Sequence, residues 1–354
     1  MNNIKKIRQK LQESEFDALL ITSPANRFYA TGFQSSAGML LLTKNDAWFY
    51  TDSRYMEAAS LAVTDAFVVA VTVESPYHKQ IKDRLSGYGI ASIGFEDKSV
   101  TYSQYLDLAE KLGIELISAG KLLDELRMVK SAKELSKMVE AQRIAEKSFN
   151  EILPLISTDI TEKELAAELV YRFIMNGADD KSFDTIVLSG KNSSRPHGVP
   201  GNDKLSKGFL TIDFGAKFEG WCSDTTRTLC IGKPDEEMKR VYDTVLSAQQ
   251  AGIEAVRAGV AGHDVDAAAR AKIIEAGYGE YFGHGFGHGL GHEVHEPPLA
   301  AKSSKDILHK GTLISAEPGI YLPGRYGVRI EDVVQVTESG CENITKLTKE
   351  LIVL

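Results

Sequence analysis

Short apolar runs alternate with amphipathic segments along the first third of the chain. Ile4, Ile7 and Leu11 recur at the spacing of one helix face, and the apolar run at residues 17–22 predicts a buried strand after that helix. The same alternation predicts a hairpin over 39–50, strands over 66–73, 91–95 and 114–117, and helices over 77–86 and 102–112. Strands and helices that alternate in this way indicate an α/β domain of about 120 residues.

The pattern changes near Gly120, where we place a domain boundary that divides the chain into residues 1–120 and 121–354. A long amphipathic helix is predicted directly after the boundary, over 122–152. Farther along, paired strands are separated by long helices instead of alternating with short ones. The second domain is therefore expected to have a different architecture from the first.

A six-residue pattern occurs twice in the second domain. Residues 205–210 and 308–313 share the pattern Leu-x-Lys-Gly-x-Leu, and each leads into a predicted strand that carries an acidic residue. The repeat is short by itself. Together with the paired acids described below, it indicates that this domain contains two related halves.

Composition and charge exclude several classes of protein. The 354 residues include 41 basic and 49 acidic side chains, a net charge of −8, which offers no electrostatic footprint for nucleic acid or an anionic membrane. Three cysteines imply no disulfide framework and suit a reducing compartment. No apolar run is long enough to span a bilayer, and the charged N-terminus does not resemble a signal peptide. We therefore expect a soluble, cytoplasmic protein of two domains.

Four acids of the second domain fall into two pairs. A hairpin closed symmetrically between Asp213 and Asp224 would set these two side chains opposite each other. A second hairpin centred on Gly324 would do the same for Glu317 and Glu331. Each register is a hypothesis, because a bulge would shift the pair.

Like charges that face each other in a sheet are destabilising, by around 4 kcal/mol at 4 Å and an effective dielectric constant of 20. A sequence that does this twice needs compensation by protonation or by bound cations. The alternative is that the pairs are exposed or out of register. Their symmetry, and the repeated pattern before each one, favours a cation site.

Four of the eight histidines lie in and just after a segment, residues 283–291, with glycine at every second position. This composition argues against a helix, and an extended chain would place His284, His288 and His292 on one face. The glycine face would allow another backbone to approach closely. A histidine beside four carboxylates suits Mn²⁺, Co²⁺, Fe²⁺ or Zn²⁺, although His284 and His292 also fit a structural role.

Seven segments of the second domain resemble, in the right order, the motifs of the pita-bread metallopeptidases of the Xaa-Pro branch, which contains aminopeptidase P and prolidase. Residues 52–55 also resemble the creatinase/prolidase N-terminal domain. The resemblance implies an α/β N-terminal domain followed by an α+β pita-bread catalytic domain with an internal pseudo-twofold repeat. The seven segments are residues 194–200, 212–215, 223–227, 283–289, 294–297, 317–321 and 328–332.

The same resemblance implies a centre of two divalent metal ions. Its ligands would be Asp213, Asp224, His288, Glu317 and Glu331, with Asp224 and Glu331 bridging the two ions. Mn²⁺ is the expected metal, with Co²⁺, Fe²⁺ and Zn²⁺ as alternatives. The reaction would be hydrolysis of the peptide bond between an N-terminal residue and proline by a hydroxide that the metals activate.

Further roles follow from the resemblance. His197 and His295 would stabilise the tetrahedral intermediate and assist the leaving group, and His284 would line the proline pocket. Glu317 would also accept a proton, and Arg329 would orient the substrate or a ligand carboxylate. The substrates would be short peptides with proline at the second position, and we expect a homodimer.

Two branches and one inactive class remain open. Prolidases typically place an arginine before the second hairpin to bind the substrate carboxylate, whereas residues 296–316 contain Lys302, Lys305 and Lys310 but no arginine. This difference favours aminopeptidase P over an Xaa-Pro dipeptidase, although a lysine could serve as a point charge. A catalytically inactive pita-bread binding module would lack some of the five ligands, and all five are present here.

Overall fold

The computed structural model describes residues 3–354, which divide into two compact units at Arg127 and Met128. The sequence places the boundary after Gly120, whereas the structure places it after Arg127. The reason is that the helix Gly120–Met128 packs Leu123, which is fully buried, into the core of the first unit. Each unit therefore has its own hydrophobic core.

The first unit is built on a six-stranded mixed sheet with helices between its strands. The elements are α1 (Ile4–Leu11), β1 (Ala18–Ile21), α2 (Pro24–Thr31), β2 (Met39–Thr43), β3 (Ala47–Thr51), α3 (Met56–Ala62), β4 (Phe67–Ala70), α4 (Tyr77–Gly87), β5 (Ser92–Phe95), α5 (Tyr102–Leu112), β6 (Glu115–Ser118) and α6 (Gly120–Met128). The strand order in the sheet is β4-β3-β2-β1-β5-β6. β2 pairs antiparallel with β1 and β3, and the other neighbours are parallel. The predicted α/β organisation is confirmed.

The second unit packs four long helices against short antiparallel sheets. The long helix predicted over 122–152 is in fact two helices, because Ser131 and Glu134 form a capping box that starts a new one. The elements are α7 (Ala132–Ile152), α8 (Glu162–Met175), β7 (Asp180–Lys181), β8 (Ile186–Ser189), β9 (Gly208–Phe214), β10 (Ala216–Phe218), β11 (Trp221–Cys222), β12 (Thr225–Ile231), α9 (Glu236–Ala255), α10 (Gly262–Glu275), β13 (Gly287–Gly289), β14 (Glu296–Ala300), β15 (Leu313–Ala316), β16 (Gly319–Leu322), β17 (Tyr326–Arg329), β18 (Asp332–Val336) and β19 (Cys341–Asn343). In the part of the chain that the structure covers, no helix has the length and apolar character needed to cross a membrane.

The two halves of this unit repeat the same local contacts. The Leu205 amide donates to the carbonyl before the N-terminus of α8, Ile160 O, at 2.9 Å, and the Leu308 amide donates to Val260 O before α10 at the same distance. Both leucines are buried, and α8 and α10 each have 14 residues. The Leu-x-Lys-Gly-x-Leu pattern therefore marks a structural repeat, as predicted.

The predicted register of the first hairpin is wrong by two residues. Asp213 pairs with Thr226 and not with Asp224, because the chain turns tightly at Glu219 and Gly220, both with positive φ (46° and 79°). Such a two-residue turn matches the twist of the flanking strands. Since side chains alternate with period two, the shift keeps both aspartates on the same face.

The second hairpin has the predicted register. β15 pairs with β18 and β16 pairs with β17 in a common register around Gly324, and Glu317 and Glu331 occupy equivalent places in the gap between the two ladders. Neither glutamate belongs to a regular strand. Their carboxylates are thus presented where the sheet is interrupted.

The glycine-rich segment is extended only at Gly287–Gly289, where the register shifts after His288. Its glycines do allow close backbone approach, as predicted. A Cβ atom at Gly287 would lie 2.0 Å from the Ser315 carbonyl oxygen, and one at Gly289 would lie 2.3 Å from that of Pro297. The strand that carries His288 is therefore fixed between two neighbours.

We expect Gly287→Ala to lower the free energy of unfolding by about 3 kcal/mol or more, since the backbone has to move to relieve the clash. Gly283→Ala is the matched control, because its Cβ would meet nothing within 4 Å. Denaturant unfolding of both variants measures the difference. Equal stabilities would contradict this account of the glycine spacing.

Candidate active site

A single cavity of about 980 Å³ in the second unit is lined by all the residues that the sequence singles out for chemistry. They reach it from separate elements of both halves of the repeat. These residues are His197, Asp213, Asp224, His284, His288, His295, Glu317, Arg329 and Glu331.

Three carboxylates form the centre of the cavity wall. One oxygen from each of Asp213, Asp224 and Glu331 lies within 4.8 Å of the others. Asp224 and Glu331 are 5% and 1% exposed. Within the described part of the chain, Asp213 Oδ1 and Glu331 Oε1 are buried without a hydrogen-bond partner. Buried acceptors without donors are costly, and divalent cations would satisfy both of these oxygens.

His288 and Glu317 adjoin this cluster. His288 Nε2 lies 3.0 Å from Glu317 Oε1 and 3.7 Å from Asp224 Oδ2. The Ser315 hydroxyl donates to Glu317 Oε1 at 2.9 Å and accepts from the His288 amide at 3.0 Å. His288 Nδ1 is 3.0 Å from the Gly289 carbonyl, which selects the tautomer with hydrogen on Nδ1 and leaves the lone pair of Nε2 directed at the carboxylates.

Electrostatics distinguish the acids from one another. Burial, followed by the charges of nearby carboxylates, raises the pKa values of Asp224 and Glu331 well above their ordinary range. Burial also acts to raise the pKa of Glu317, but its hydrogen bond and charge interaction with His288 prevail and lower it to about 2. Without a bound metal ion, the site therefore relies on protons, on His288 and on Arg329 to offset its negative charge.

Arg329 is a buried cation beside the cluster. Its Nη2 donates to Asp213 Oδ2 at 2.6 Å, its Nη1 to the Tyr321 hydroxyl at 2.8 Å, and its Nε to Thr226 Oγ1 at 3.0 Å. Thr226 in turn donates to Glu331 Oε2 at 2.8 Å. All three nitrogens are engaged by protein atoms, so Arg329 holds the Asp213 carboxylate in position beside the cluster.

The Tyr321 hydroxyl also contacts His284. Burial raises the pKa of Tyr321 to about 12, so the hydroxyl keeps its proton. Since the hydroxyl accepts from Arg329, it donates to His284 Nε2 at 2.9 Å, and His284 Nδ1 donates to the Gly285 carbonyl at 2.8 Å. Burial lowers the pKa of His284. His284 is therefore a neutral wall of the cavity, and both of its ring nitrogens are engaged by protein atoms.

His197 and His295 are exposed within the cavity lining. The rings of His295 and His288 lie 4.2 Å apart, and burial, followed by the charge of His288, lowers the pKa of His295.

His292 is different from the other histidines of its segment. It is buried against Trp221, its Nδ1 is 3.0 Å from Gly220 O, and it does not line the cavity. The interruption after His288 explains why His292 does not share its face.

Sequence reasoning gives no role to Tyr321 or Thr226. Both hydroxyls act through contacts with residues that are distant along the chain, and neither residue type indicates chemistry by itself. The sequence signals are their positions in two of the seven motifs, Tyr321 at the end of residues 317–321 and Thr226 within residues 223–227.

Comparison with known proteins identifies the family to which both units of the chain belong. Residues 136–338 match Metallopeptidase family M24, and residues 3–129 match the Creatinase/Prolidase N-terminal domain. The chain is 36% identical over 352 residues to an Xaa-Pro dipeptidase from Pyrococcus horikoshii, with 99% of this chain and 98% of that protein covered.

Two solved structures are similar over nearly their whole length. An Xaa-Pro dipeptidase from Bacillus anthracis has a TM-score of 0.95 at 40% identity, with 99% of each chain covered. An X-Pro aminopeptidase from Thermotoga maritima has a TM-score of 0.90 at 36% identity, with 98% of this chain and 100% of that chain covered. These similarities confirm the predicted fold class and family. The chain belongs to metallopeptidase family M24 and carries a creatinase/prolidase N-terminal domain.

Proposed function

We propose that this protein is an Xaa-Pro dipeptidase that depends on two divalent metal ions, with Mn²⁺ as the preferred metal. The observation that carries the proposal is the buried carboxylate cluster with two unpartnered oxygens at the wall of a large cavity. Relatives that are named Xaa-Pro dipeptidases support this choice. It replaces the preference for aminopeptidase P that the sequence alone suggests.

The proposed ligands are Asp213, Asp224, His288, Glu317 and Glu331. Two bound cations would supply Lewis-acid polarisation of the scissile carbonyl and make a water molecule acidic near neutral pH. The protons that burial holds on Asp224 and Glu331 would be released when cations bind, so metal affinity should increase with pH.

The remaining groups are proposed to bind the substrate and move protons. Ser315 and His288 contact Glu317 Oε1, which leaves the ionised Oε2 as the proposed proton acceptor. The lowered pKa of His295 keeps its ring neutral at pH 7, so an N–H is available to donate to a developing oxyanion. His197 is proposed to act from the opposite side of the substrate.

A dipeptide substrate needs a partner for its free carboxylate. The cations in the cavity lining are Lys163, Lys181 and Arg329. Arg329 forms an ion pair with Asp213, and Lys181 Nζ forms one with Asp184 Oδ1 at 2.7 Å. Lys163 is exposed at the cavity and forms no ion pair within residues 3–354. We therefore assign the substrate carboxylate to Lys163.

We expect Lys163→Gln to raise the KM for Ala-Pro about tenfold, in keeping with the loss of one charged contact. Ala-Pro-amide, which has no carboxylate, should be hydrolysed equally by the variant and the wild type. Lys181→Gln is the matched control. Equal losses on both substrates would show that Lys163 does not recognise the carboxylate.

Aminopeptidase P remains the second candidate, favoured by the cavity volume of about 980 Å³, which is at the upper end of the usual range of roughly 300–1,000 Å³. Comparing kcat/KM for Ala-Pro and Ala-Pro-Ala decides between the two. A dipeptidase prefers the dipeptide, whereas higher kcat/KM on the tripeptide would favour aminopeptidase P. The homodimer stays a prediction, which sedimentation velocity can test.

A further inference from the structure

A loop in the first half of the repeat carries His197 to the cavity. We define the His197 loop as residues 190–201, which begin directly after β8. Pro196, His197, Gly198, Val199 and Pro200 line the cavity. His197 itself is exposed, so its position depends on how the loop is anchored.

Both ends of the His197 loop are held by one buried carboxylate. Glu162, the first residue of α8, is 1% exposed. Its Oε1 accepts hydrogen bonds from the Ser189 amide at 2.8 Å, the Ser189 hydroxyl at 3.3 Å and Asn192 Nδ2 at 3.0 Å. Its Oε2 accepts from the Gly201 amide at 3.1 Å. One side chain therefore joins the start of the loop to its end.

The chemistry of this contact is specific to a carboxylate. All four bonds are donated by neutral groups, and within residues 3–354 no lysine or arginine forms an ion pair with Glu162. A buried charge without a counter-ion is unfavourable unless several donors solvate it, which the loop and the N-terminus of α8 do here. A glutamine would replace one acceptor oxygen with a donor that faces another donor.

The middle of the loop has fewer anchors. The Gly327 amide donates to Ser193 Oγ at 2.9 Å, and Arg329 Nη1 lies 3.4 Å from Pro196 O. Arg329 also binds Asp213, so the carbonyl beside His197 shares a donor with the carboxylate cluster. Loss of the Glu162 contacts would leave these two contacts, and the hydrogen bond from the Lys163 amide to Gly201 O at 3.0 Å, to hold the loop that carries His197.

We propose that Glu162 is a positioning residue, which fixes the His197 loop at both ends and so holds His197 against the substrate. The role of His197 rests on the proposed function, whereas the anchoring of the loop does not. The proposal adds a residue that lies outside the cavity lining to the groups on which hydrolysis depends.

The test compares Glu162→Gln with Glu164→Gln, each loaded with Mn²⁺. Glu164 is exposed on the same helix turn, and its carboxylate accepts hydrogen bonds from the Thr161 amide and hydroxyl in the capping box. We expect Glu162→Gln to lower kcat/KM for Ala-Pro by roughly 10- to 100-fold, the loss typical of a hydrogen bond to a charged group. Bound metal should stay the same, and Glu164→Gln should keep wild-type kinetics.

Two further readouts separate positioning from a general loss of stability. Hydrogen exchange in Glu162→Gln should speed up over residues 190–201 and stay unchanged over 213–224 and 317–331. The double variant with His197→Ala should be no less active than His197→Ala alone, because Glu162 acts through His197. If Glu162→Gln does not fold, Asn192→Ala tests the same loop with one bond removed, and we expect a smaller change in the same direction.

Unchanged exchange over the loop, or a loss of activity that multiplies with that of His197→Ala, would overturn the proposal. A wild-type protein that does not cleave Ala-Pro would refute the proposed function instead. The hydrogen-exchange comparison would still decide whether Glu162 anchors the loop.

Discussion

Replacing Glu331 with glutamine should abolish peptide hydrolysis and, in the absence of metal, make the protein more stable at neutral pH. Activity should fall by roughly 1,000-fold or more, because a proposed metal ligand is lost and bound cations would no longer make water acidic near pH 7. The stability of the metal-free protein should nevertheless rise, because the acid cluster is unfavourable when no cation is bound. Function and stability conflict at this position.

The sign of the stability effect follows from the pKa of Glu331. Burial and the neighbouring carboxylates raise this pKa well above its ordinary value. The folded protein therefore retains the proton to higher pH than the unfolded chain does. Stability of the metal-free protein falls as pH rises above about 4.3, the value for an unfolded glutamate, and continues to fall up to the raised pKa. Glutamine does not ionise and removes this loss.

Denaturant unfolding in the presence of a chelator, at pH 5 and pH 8, measures this effect. The advantage of Glu331→Gln over the wild type should be larger at pH 8. Glu338→Gln is the matched control, because the Glu338 side chain is 81% exposed and should change stability by less than about 0.5 kcal/mol. A variant that is less stable than the wild type at pH 8 would contradict the account of a repulsive acid cluster.

Replacing Arg329 with methionine should have the second-largest effect, a loss of about 3–5 kcal/mol in the free energy of unfolding of the metal-free protein. The change leaves Asp213 partly buried beside the other acids without its cation, and it also removes the donor to Tyr321. Bound Mn²⁺ should reduce the loss, since it replaces part of the missing positive charge. Hydrolysis should decline because Asp213 is no longer oriented.

Arg325→Met provides the control for this prediction. Arg325 pairs with Glu237 at the surface, with 51% of its side chain exposed, and such pairs contribute only about 0–1 kcal/mol. Arg329→Lys keeps the charge but loses the fork of donors, so it should be intermediate. If Arg329→Met and Arg325→Met were equally stable in chelator, Arg329 would not hold the cluster together.

Asp213 and Asp224 lie close together, as the sequence suggests, because side-chain alternation tolerates the error in the predicted register. The turn at Glu219 and Gly220 shifts Asp213 by two residues relative to Asp224, and a shift of two preserves the face. A shift of one would have separated the two aspartates. The second hairpin keeps its predicted register because a single turn around Gly324 serves both ladders.

The rest of the site depends on contacts that no local pattern encodes. His292 follows His288 at the same four-residue spacing at which His288 follows His284. The register shift after His288 nevertheless turns His292 toward Trp221. Glu162 is separated by 39 residues from Gly201, which it binds. In the sequence it is one of many acids at the start of a helix. Its burial and its partners become visible only in the folded chain.

The most direct test of the account is a Mn²⁺ titration of chelated protein in which bound metal and hydrolysis of Ala-Pro are measured on the same samples. We expect no hydrolysis without metal, and activity that reaches its maximum as two Mn²⁺ ions bind each chain. Hydrolysis that persists in chelator, or no cleavage of Ala-Pro or Ala-Pro-Ala once two ions are bound, would contradict it.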